Sequence, residues 1–353
     1  GFNTAVGYEA LGASSADAIT TNGYNTCVGY RAGYELQEGG VNNVLIGTLA
    51  GLDITTGDHN ISIGSNAIDA ITTGSSNIAI GSDALGTATT AASNVFIGKN
   101  AGSAIPAGEA VSYCTVVGIN AFNGAAGTTA DTNGTVAIGR DALYALTSGA
   151  KNIAIGYDAL GDATEATNNI AIGYECMNAM VGDDASNAGH HNIAIGTDAM
   201  GGVNGLHDNT EIDGNIAIGT DALKGASFST NLEDLIGNIA IGYQAMDATA
   251  GGTSNGQIAI GYQALSAMTV ANQNLAIGYK ALLEHETGSR NLAIWYGAMD
   301  TTGANNCPTS TDNIMIGKDA GGGTWTTNDS NYNVGIGNLV MDAAMNGAVN
   351  NTA

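Results

Sequence analysis

One nine-residue pattern returns 18 times along the 353 residues. It reads Asn-(Ile/Val/Thr)-Ala-(Ile/Val)-Gly-x-x-Ala-(Leu/Met/Gly), as in Asn77-Ile78-Ala79-Ile80-Gly81 and Asn238-Ile239-Ala240-Ile241-Gly242. Its anchoring glycine falls at positions 7, 29, 47, 64, 81, 98, 118, 139, 156, 173, 196, 219, 242, 261, 278, 317 and 337, with Trp295 in the same place in one unit. Successive anchors lie 17 to 23 residues apart, and 17 is both the shortest and the commonest spacing. A fixed minimum with additions means that 17 residues close one turn. The extra residues all enter at one place, after the Ala-Leu step and before the next Asn. Such a unit is too short for a helical hairpin, because stable helices need about three turns each. Ile-Ala-Ile alternates with period two, as a strand does, and is rich in β-branched residues. Glycine then breaks the strand at a corner, where a side chain would clash or a positive φ is required.

The repeat therefore predicts an all-β chain: a parallel β-solenoid of about 18 coils of 17–23 residues, each motif forming a rung paired with its equivalents above and below. At about 4.8 Å per rung the stack is a rod on the order of 85 Å long. Residues 1–353 read as one repeat domain with an enlarged-loop region over 174–241, and as a fragment of a longer chain, since Gly1 opens inside a repeat.

Like residues then form columns. The Asn is present in 15 of 18 units, with Cys114, Thr135 and Gln257 as the exceptions. Asn60, Asn77, Asn94, Asn152, Asn169, Asn192, Asn215 and Asn238 are read as a structural ladder whose amides bond along the stack. The aliphatics flanking the middle residue, such as Ile153 and Ile155, are expected to fill the coil. The middle residue, usually Ala but also Leu45, Phe96, Val116 or Met315, is expected to point outward. An apolar outward column implies a second buried surface that a partner chain covers. Tyr follows the anchor in eight units, and Tyr243, Tyr262, Tyr279 and Tyr296 are expected to stack, or alternatively to form a glycan-binding strip.

Composition narrows the function. Eight basic residues against 32 acidic ones give a formal charge of -24. Nucleic-acid binding and docking on anionic lipid both need clustered Lys and Arg, so neither partner is expected. No apolar run is long enough to span a bilayer, so no membrane insertion of this segment is expected. Cys27, Cys114, Cys176 and Cys307 have no metal-type spacing. Three of them replace Ala or Asn of the repeat and read as small core residues.

The motif Asn-x-Ala-Ile-Gly-x-x-Ala resembles the head repeat of YadA-like trimeric autotransporter adhesins. Asn3-Thr4-Ala5-Val6-Gly7-Tyr8-Glu9-Ala10-Leu11 is closer still to the repeats of phage tail-fibre proteins. The resemblance covers essentially the whole chain. It implies a left-handed parallel β-roll assembled as a homotrimer, outside the cell, on a virion tail fibre or a bacterial surface, with a host receptor or glycan as partner. The units here are longer than the adhesin coils, so each turn gains a side or a lobe. The adhesin's stalk and membrane anchor are not in this sequence.

Several residues could carry chemistry. Asp141, Asp158, Glu175, Asp198 and Asp221 occupy the second position after five consecutive anchors. Stacked in register, they would stand about 5 Å apart. That arrangement suits a cation such as Ca²⁺, or simply a solvated edge, or, least well supported, a glycosidase pair. No other cofactor is implied. Three adjacent 23-residue spacings place His190, His191, His207, Asp183, Asp184, Asp208, Glu211 and Phe228 on neighbouring insertions, read as a recognition patch, a His/Asp metal site or plain loop decoration. Trp325 lies in a glycine-rich insertion and could stack on a sugar or simply pack locally. Trp295 must widen its corner or turn outward. No Ser/His/Asp or Cys/His constellation stands out, so the expectation is a structural and adhesive fibre segment, not an enzyme. Depolymerase activity and ice binding by Thr55-Thr56, Thr72-Thr73 and Thr89-Thr90 are the minor alternatives.

Overall fold

The computed structural model describes residues 2–12, 23–106, 111–124, 132–180, 189–203, 211–225, 234–248, 253–302, 309–325, 328–343 and 345–353. These residues contain no α-helix. The fold is a parallel β-solenoid, and the chain divides into two compact units, Gly1–Asn168 and Asn169–Ala353. Such divisions come readily to a solenoid, whose coils contact only their neighbours.

The first unit holds β1 (Thr4–Val6), β2 (Thr26–Val28), β3 (Val44–Ile46), β4 (Ile61–Ile63), β5 (Ile78–Ile80), β6 (Val95–Ile97), β7 (Thr115–Val117), β8 (Val136–Ile138) and β9 (Ile153–Ile155). Every neighbouring pair is parallel and pairs motif to motif, as in Ile78↔Val95, Ala79↔Phe96 and Ile80↔Ile97. The second unit holds β10 (Ile170–Ile172), β11 (Ile193–Ile195), β12 (Ile212–Asp213), β13 (Ile216–Ile218), β14 (Leu235–Ile236), β15 (Ile239–Ile241), β16 (Ile258–Ile260), β17 (Leu275–Ile277), β18 (Leu292–Ile294), β19 (Ile314–Ile316) and β20 (Val334–Ile336). Its three-residue rungs also pair motif to motif, while β12 and β14 make a second short parallel ladder within the enlarged coils. Beyond β20, Asn351 begins another rung, its backbone oxygen 2.8 Å from the nitrogen of Val334.

The facing of the rungs is the reverse of the sequence expectation. The middle residue is buried: Cys27, Leu45, Ala79, Phe96, Val116, Ala154 and Met315 are all fully inside. The flanking aliphatics point out, and Ile46, Ile63, Ile80, Ile138 and Ile195 are each 36–38% exposed. The cause is the period of two. Asn and the middle residue are two apart and share a face. The ladder Asn side chains are buried, so the middle residue goes inward with them.

The interior is filled by complementary volumes. Where the middle residue is Ala, the position four after the anchor is Leu or Met, as in the pairs Ala79/Leu85, Ala154/Leu160 and Ala194/Met200. Where the middle residue is Leu, Phe or Met, that position is Gly: Leu45 goes with Gly51, Phe96 with Gly102 and Met315 with Gly321, whereas Val116 goes with Phe122. A Cβ on Gly51 would lie 2.8 Å from Leu45, and one on Gly102 would collide with the ring of Phe96. Close-packed interiors enforce such exchanges.

The corners are left-handed in backbone conformation. Anchor glycines such as Gly139 (φ 138°) take a conformation closed to other residues, and a Cβ there would meet the oxygen of Gly156 in the next coil. The second and fourth residues after the anchor also have positive φ, the Leu and Met of the fourth position lying between 49° and 54°.

Candidate interaction surface

The ladder accounts for the recurrent Asn as a structural group. In the second unit each side-chain oxygen accepts from the backbone nitrogen of the next ladder residue. Asn192 to Asn169 is 2.9 Å, Asn215 to Asn192 is 3.0 Å, and the chain of bonds runs on to Asn351 against Asn333 at 3.1 Å. The amide nitrogen bonds the same oxygen or a carbonyl, as Asn215 Nδ2 does to Leu235 O. Gln257 substitutes fully, accepting from Asn274 N at 2.9 Å. In the first unit Asn43, Asn60, Asn77 and Asn94 repeat the pattern. Cys114 and Thr135 interrupt it, and the Thr135 hydroxyl is buried without a partner. From Asn25 to Asn333 the Asn and Gln side chains of this column are buried.

The acidic residues fall into two groups. In the first unit, Asp141 accepts from Asn120 Nδ2 at 2.9 Å and pairs with Arg140 at 2.9 Å. With Asp158, Tyr144, Gly161 and Asp162 it lines an open depression of about 250 Å³. In the second unit, Lys224 Nζ lies 3.1 Å from Asp198 and 2.9 Å from Asp221. These carboxylates, Asp221 first, hold the lysine ammonium above its ordinary pKa. The lysine thus occupies the place a cation would take between these two acids. Among the described residues no group of three or more His, Cys, Asp or Glu is arranged to hold a metal ion. A backbone reason for the acidic residues is also evident. All five sit at φ between 50° and 57°, the left-handed region in which Asp and Asn are enriched several-fold.

The tyrosine ladder forms as expected. Ring centroids are 5.3 Å apart for Tyr243 and Tyr262, 5.1 Å for Tyr262 and Tyr279 and 5.0 Å for Tyr279 and Tyr296, with planes within 14°. Stacking covers the ring faces with each other and leaves the edges to solvent. A sugar stacks on an aromatic face, so the ladder serves packing better than glycan binding. Lys280 lies over Tyr279 and Lys318 over Tyr296, at 5.5 and 5.8 Å from the centroids.

The loop candidates are partly described. His191 Nδ1 is 2.9 Å from Asp213 Oδ1 and its ring meets His190 edge-on at 6.2 Å. Glu211 is exposed. His207, Phe228, Asp183, Asp184 and Asp208 lie outside the described residues, as does Cys307. Of the two readings of Trp325, local packing is the one found, and the receptor-contact reading is corrected: the residue is 1% exposed, and its indole donates to Gly321 O at 2.9 Å. Cys27, Cys114 and Cys176 are buried thiols. Burial pushes their pKa values up to about 12, 11 and 12, so they carry no thiolate chemistry.

The first threonine of each pair is engaged internally, while Thr56, Thr73 and Thr90 are exposed. Thr55 Oγ1 donates to Thr72 O at 3.0 Å and Thr72 Oγ1 to Thr89 O at 3.3 Å. Their hydroxyls tie coil to coil.

What remains is the outward face of the rungs. In the second unit every outer position is aliphatic, from Ile170 and Ile172 to Val334 and Ile336. Nine rungs at about 4.8 Å make a stripe about 40 Å long and on the order of 400 Å² in area, comparable with the largest apolar patch on a whole monomer. The first unit carries the same two columns, with Thr4, Thr26 and Thr115 as the polar exceptions. No family model matches the chain, and no curated protein matches it.

Proposed function

We propose that the chain is a structural and adhesive fibre segment of 18 coils, assembled as a left-handed homotrimer and displayed outside the cell, where its surfaces meet a host receptor or glycan. The observation that carries the reading is the pair of aliphatic columns on the outside of the rungs. A lone chain leaves them in water. Two further copies set against the same stripe remove them from it, and a stripe repeated on every copy suits a symmetric assembly. Burying each outer Ile stabilises such an assembly by about 1 kcal/mol, since roughly a third of the side chain is still open to be covered.

Two resemblances remain in view. The Asn-Thr-Ala-Val-Gly-Tyr start favours a phage tail fibre; the shorter shared motif also fits a bacterial adhesin head. A depolymerase would need a carboxylate pair in a cleft. Asp141 and Asp158 line the one open acidic depression described above, where Arg140 and Asn120 already engage Asp141.

The adhesive role is tested on cells. Labelled chain is titrated onto a panel of bacterial strains beside the double variant Ile218→Glu/Ile241→Glu, which charges the outer stripe. Multivalent attachment predicts binding to some strains and at least a hundredfold weaker apparent affinity for the variant. Absence of binding to every strain contradicts the adhesive role. Equal binding by a variant confirmed to be monomeric contradicts the trimer as its basis.

A further inference from the structure

We propose that Trp295 sets the axial register between copies of the chain. The inference rests on the homotrimer reading above and adds what that reading lacks, a way of aligning the copies.

The outer stripe of the second unit is periodic. Its nine rungs all present aliphatic pairs. A copy displaced by one rung therefore keeps eight of the nine levels in contact, with the same kinds of side chain opposed. Sheets whose faces repeat in this way specify register weakly. The Thr4, Thr26 and Thr115 side chains of the first unit differ from Val by a hydroxyl, too little in shape to exclude a displaced copy. A repetitive assembly needs a feature that occurs once.

Trp295 is that feature. It replaces glycine at the corner where 17 other units keep Gly. Its φ is 105°, against 137° at Gly278 and 143° at Gly317, so the corner has moved to admit a side chain. A bulky residue at such a φ is a strained outlier. The indole gives the chain little in return. It is 64% exposed. Its sequence neighbours place it on the outer surface: Ile294 belongs to the outer stripe and Tyr296 ends the tyrosine ladder. An exposed indole beside the stripe, held at the cost of backbone strain, is occupied by the neighbouring copy at the same level. A copy displaced by one rung would bring a glycine corner to that level and leave the indole against the outer Ile column.

The full chain tests this by crosslinking. Ile218 and Ile241 are paired neighbours on adjacent rungs. Chains carrying Ile218→Cys and chains carrying Ile241→Cys, distinguished by tags, are co-assembled and oxidised, and the crosslinked peptides are identified by mass. With Trp295 present, equal-level crosslinks (218 to 218, 241 to 241) should exceed 218-to-241 crosslinks at least tenfold. With Trp295→Gly, the two classes should approach equal yield while the particle keeps its mass. Trp295→Gly should also raise the melting temperature of the monomeric Ile218→Glu/Ile241→Glu chain by a few degrees, because glycine relieves the corner. If Trp295→Gly keeps only equal-level crosslinks, or lowers that melting temperature, the register role is overturned while the trimer stands. If the unmutated chain is monomeric or gives no equal-level crosslink, no copy covers the face, and both the trimer reading and this inference fall.

Discussion

The side-chain oxygen of Asn215 lies 3.0 Å from both the backbone nitrogen and the side-chain nitrogen of Asn238. One buried acceptor thus serves two donors of the next coil, and the contact recurs rung after rung. Asn215→Ala removes that acceptor and also the donors to Asn192 and Leu235. Leaving buried groups unpaired costs about 1–3 kcal/mol each, so denaturant unfolding should lose about 3 kcal/mol or show early loss of these coils. Asn215→Gln should lose less than half of that, because Gln257 already fills a ladder position.

The volume exchange inside the coils makes a second prediction. Ala79→Leu alone overpacks a full coil, at about 1–3 kcal/mol. Leu85→Gly alone opens a cavity costing about 2–5 kcal/mol, partly offset because glycine is at ease at φ 51°. Together they reproduce the Leu45/Gly51 pair of a natural coil. The double variant should be more stable than the sum of the single changes by at least 1 kcal/mol, read as a coupling energy in a double-mutant cycle.

The facing of the rungs predicts opposite outcomes for adjacent residues. Ala217→Glu places a charge in a closed interior and should abolish folding of the second unit, seen as lost β circular dichroism. The same change at Ile218 meets the outer surface, and should leave the spectrum intact while reducing self-association.

Stability should depend on pH through three buried or half-buried groups. His285 fills the core position usually held by an aliphatic residue, between Thr302 and Gly288 O. Burial lowers its pKa from 6.5 to about 4. Both states are neutral above 6.5. Below it the unfolded chain takes the proton first, so stability is lost from pH 6.5 down to about 4. Burial raises Asp69 and Asp247 from 3.8 to about 6. There the folded chain takes the proton first, and stability is gained as pH falls from about 6 to 3.8. His285→Gln should remove the first trend, and Asp69→Asn should raise the melting temperature at pH 7 but not at pH 3.5.

Lys224 makes a fifth case. Lys224→Met leaves Asp198 and Asp221 without their bridging charge. Millimolar Ca²⁺ should then raise the melting temperature of the variant by several degrees and that of the unmutated chain by less than one. An equal response in both contradicts the lysine as the resident cation.

Much of this was legible in the residues. The 17-residue minimum gave the coil, the Asn column gave the ladder, and the four consecutive tyrosines gave their stack. The inside and outside of the rungs were not, because alternation separates two faces without saying which is buried. The signal was present twice. The middle residue shares a face with Asn, and its size trades against the Leu, Met or Gly that follows the anchor. Residues facing water have no reason to trade volume. Trp325 left two readings open, because a glycine-rich stretch resembles a loop tip; its burial decides for packing. His285 went unnoticed among aliphatic equivalents, although its place seven residues after the anchor marks it as core. The acidic column had a plain explanation in the left-handed backbone that Asp and Asn favour.

The whole account turns on the outer aliphatic stripe being covered by copies of the same chain. Sedimentation equilibrium of the purified chain addresses that directly. The account predicts a particle of three chain masses that falls to one chain mass in Ile218→Glu/Ile241→Glu with its β spectrum unchanged. A chain that sediments as a soluble monomer at micromolar concentration, its stripe open to water, would contradict it.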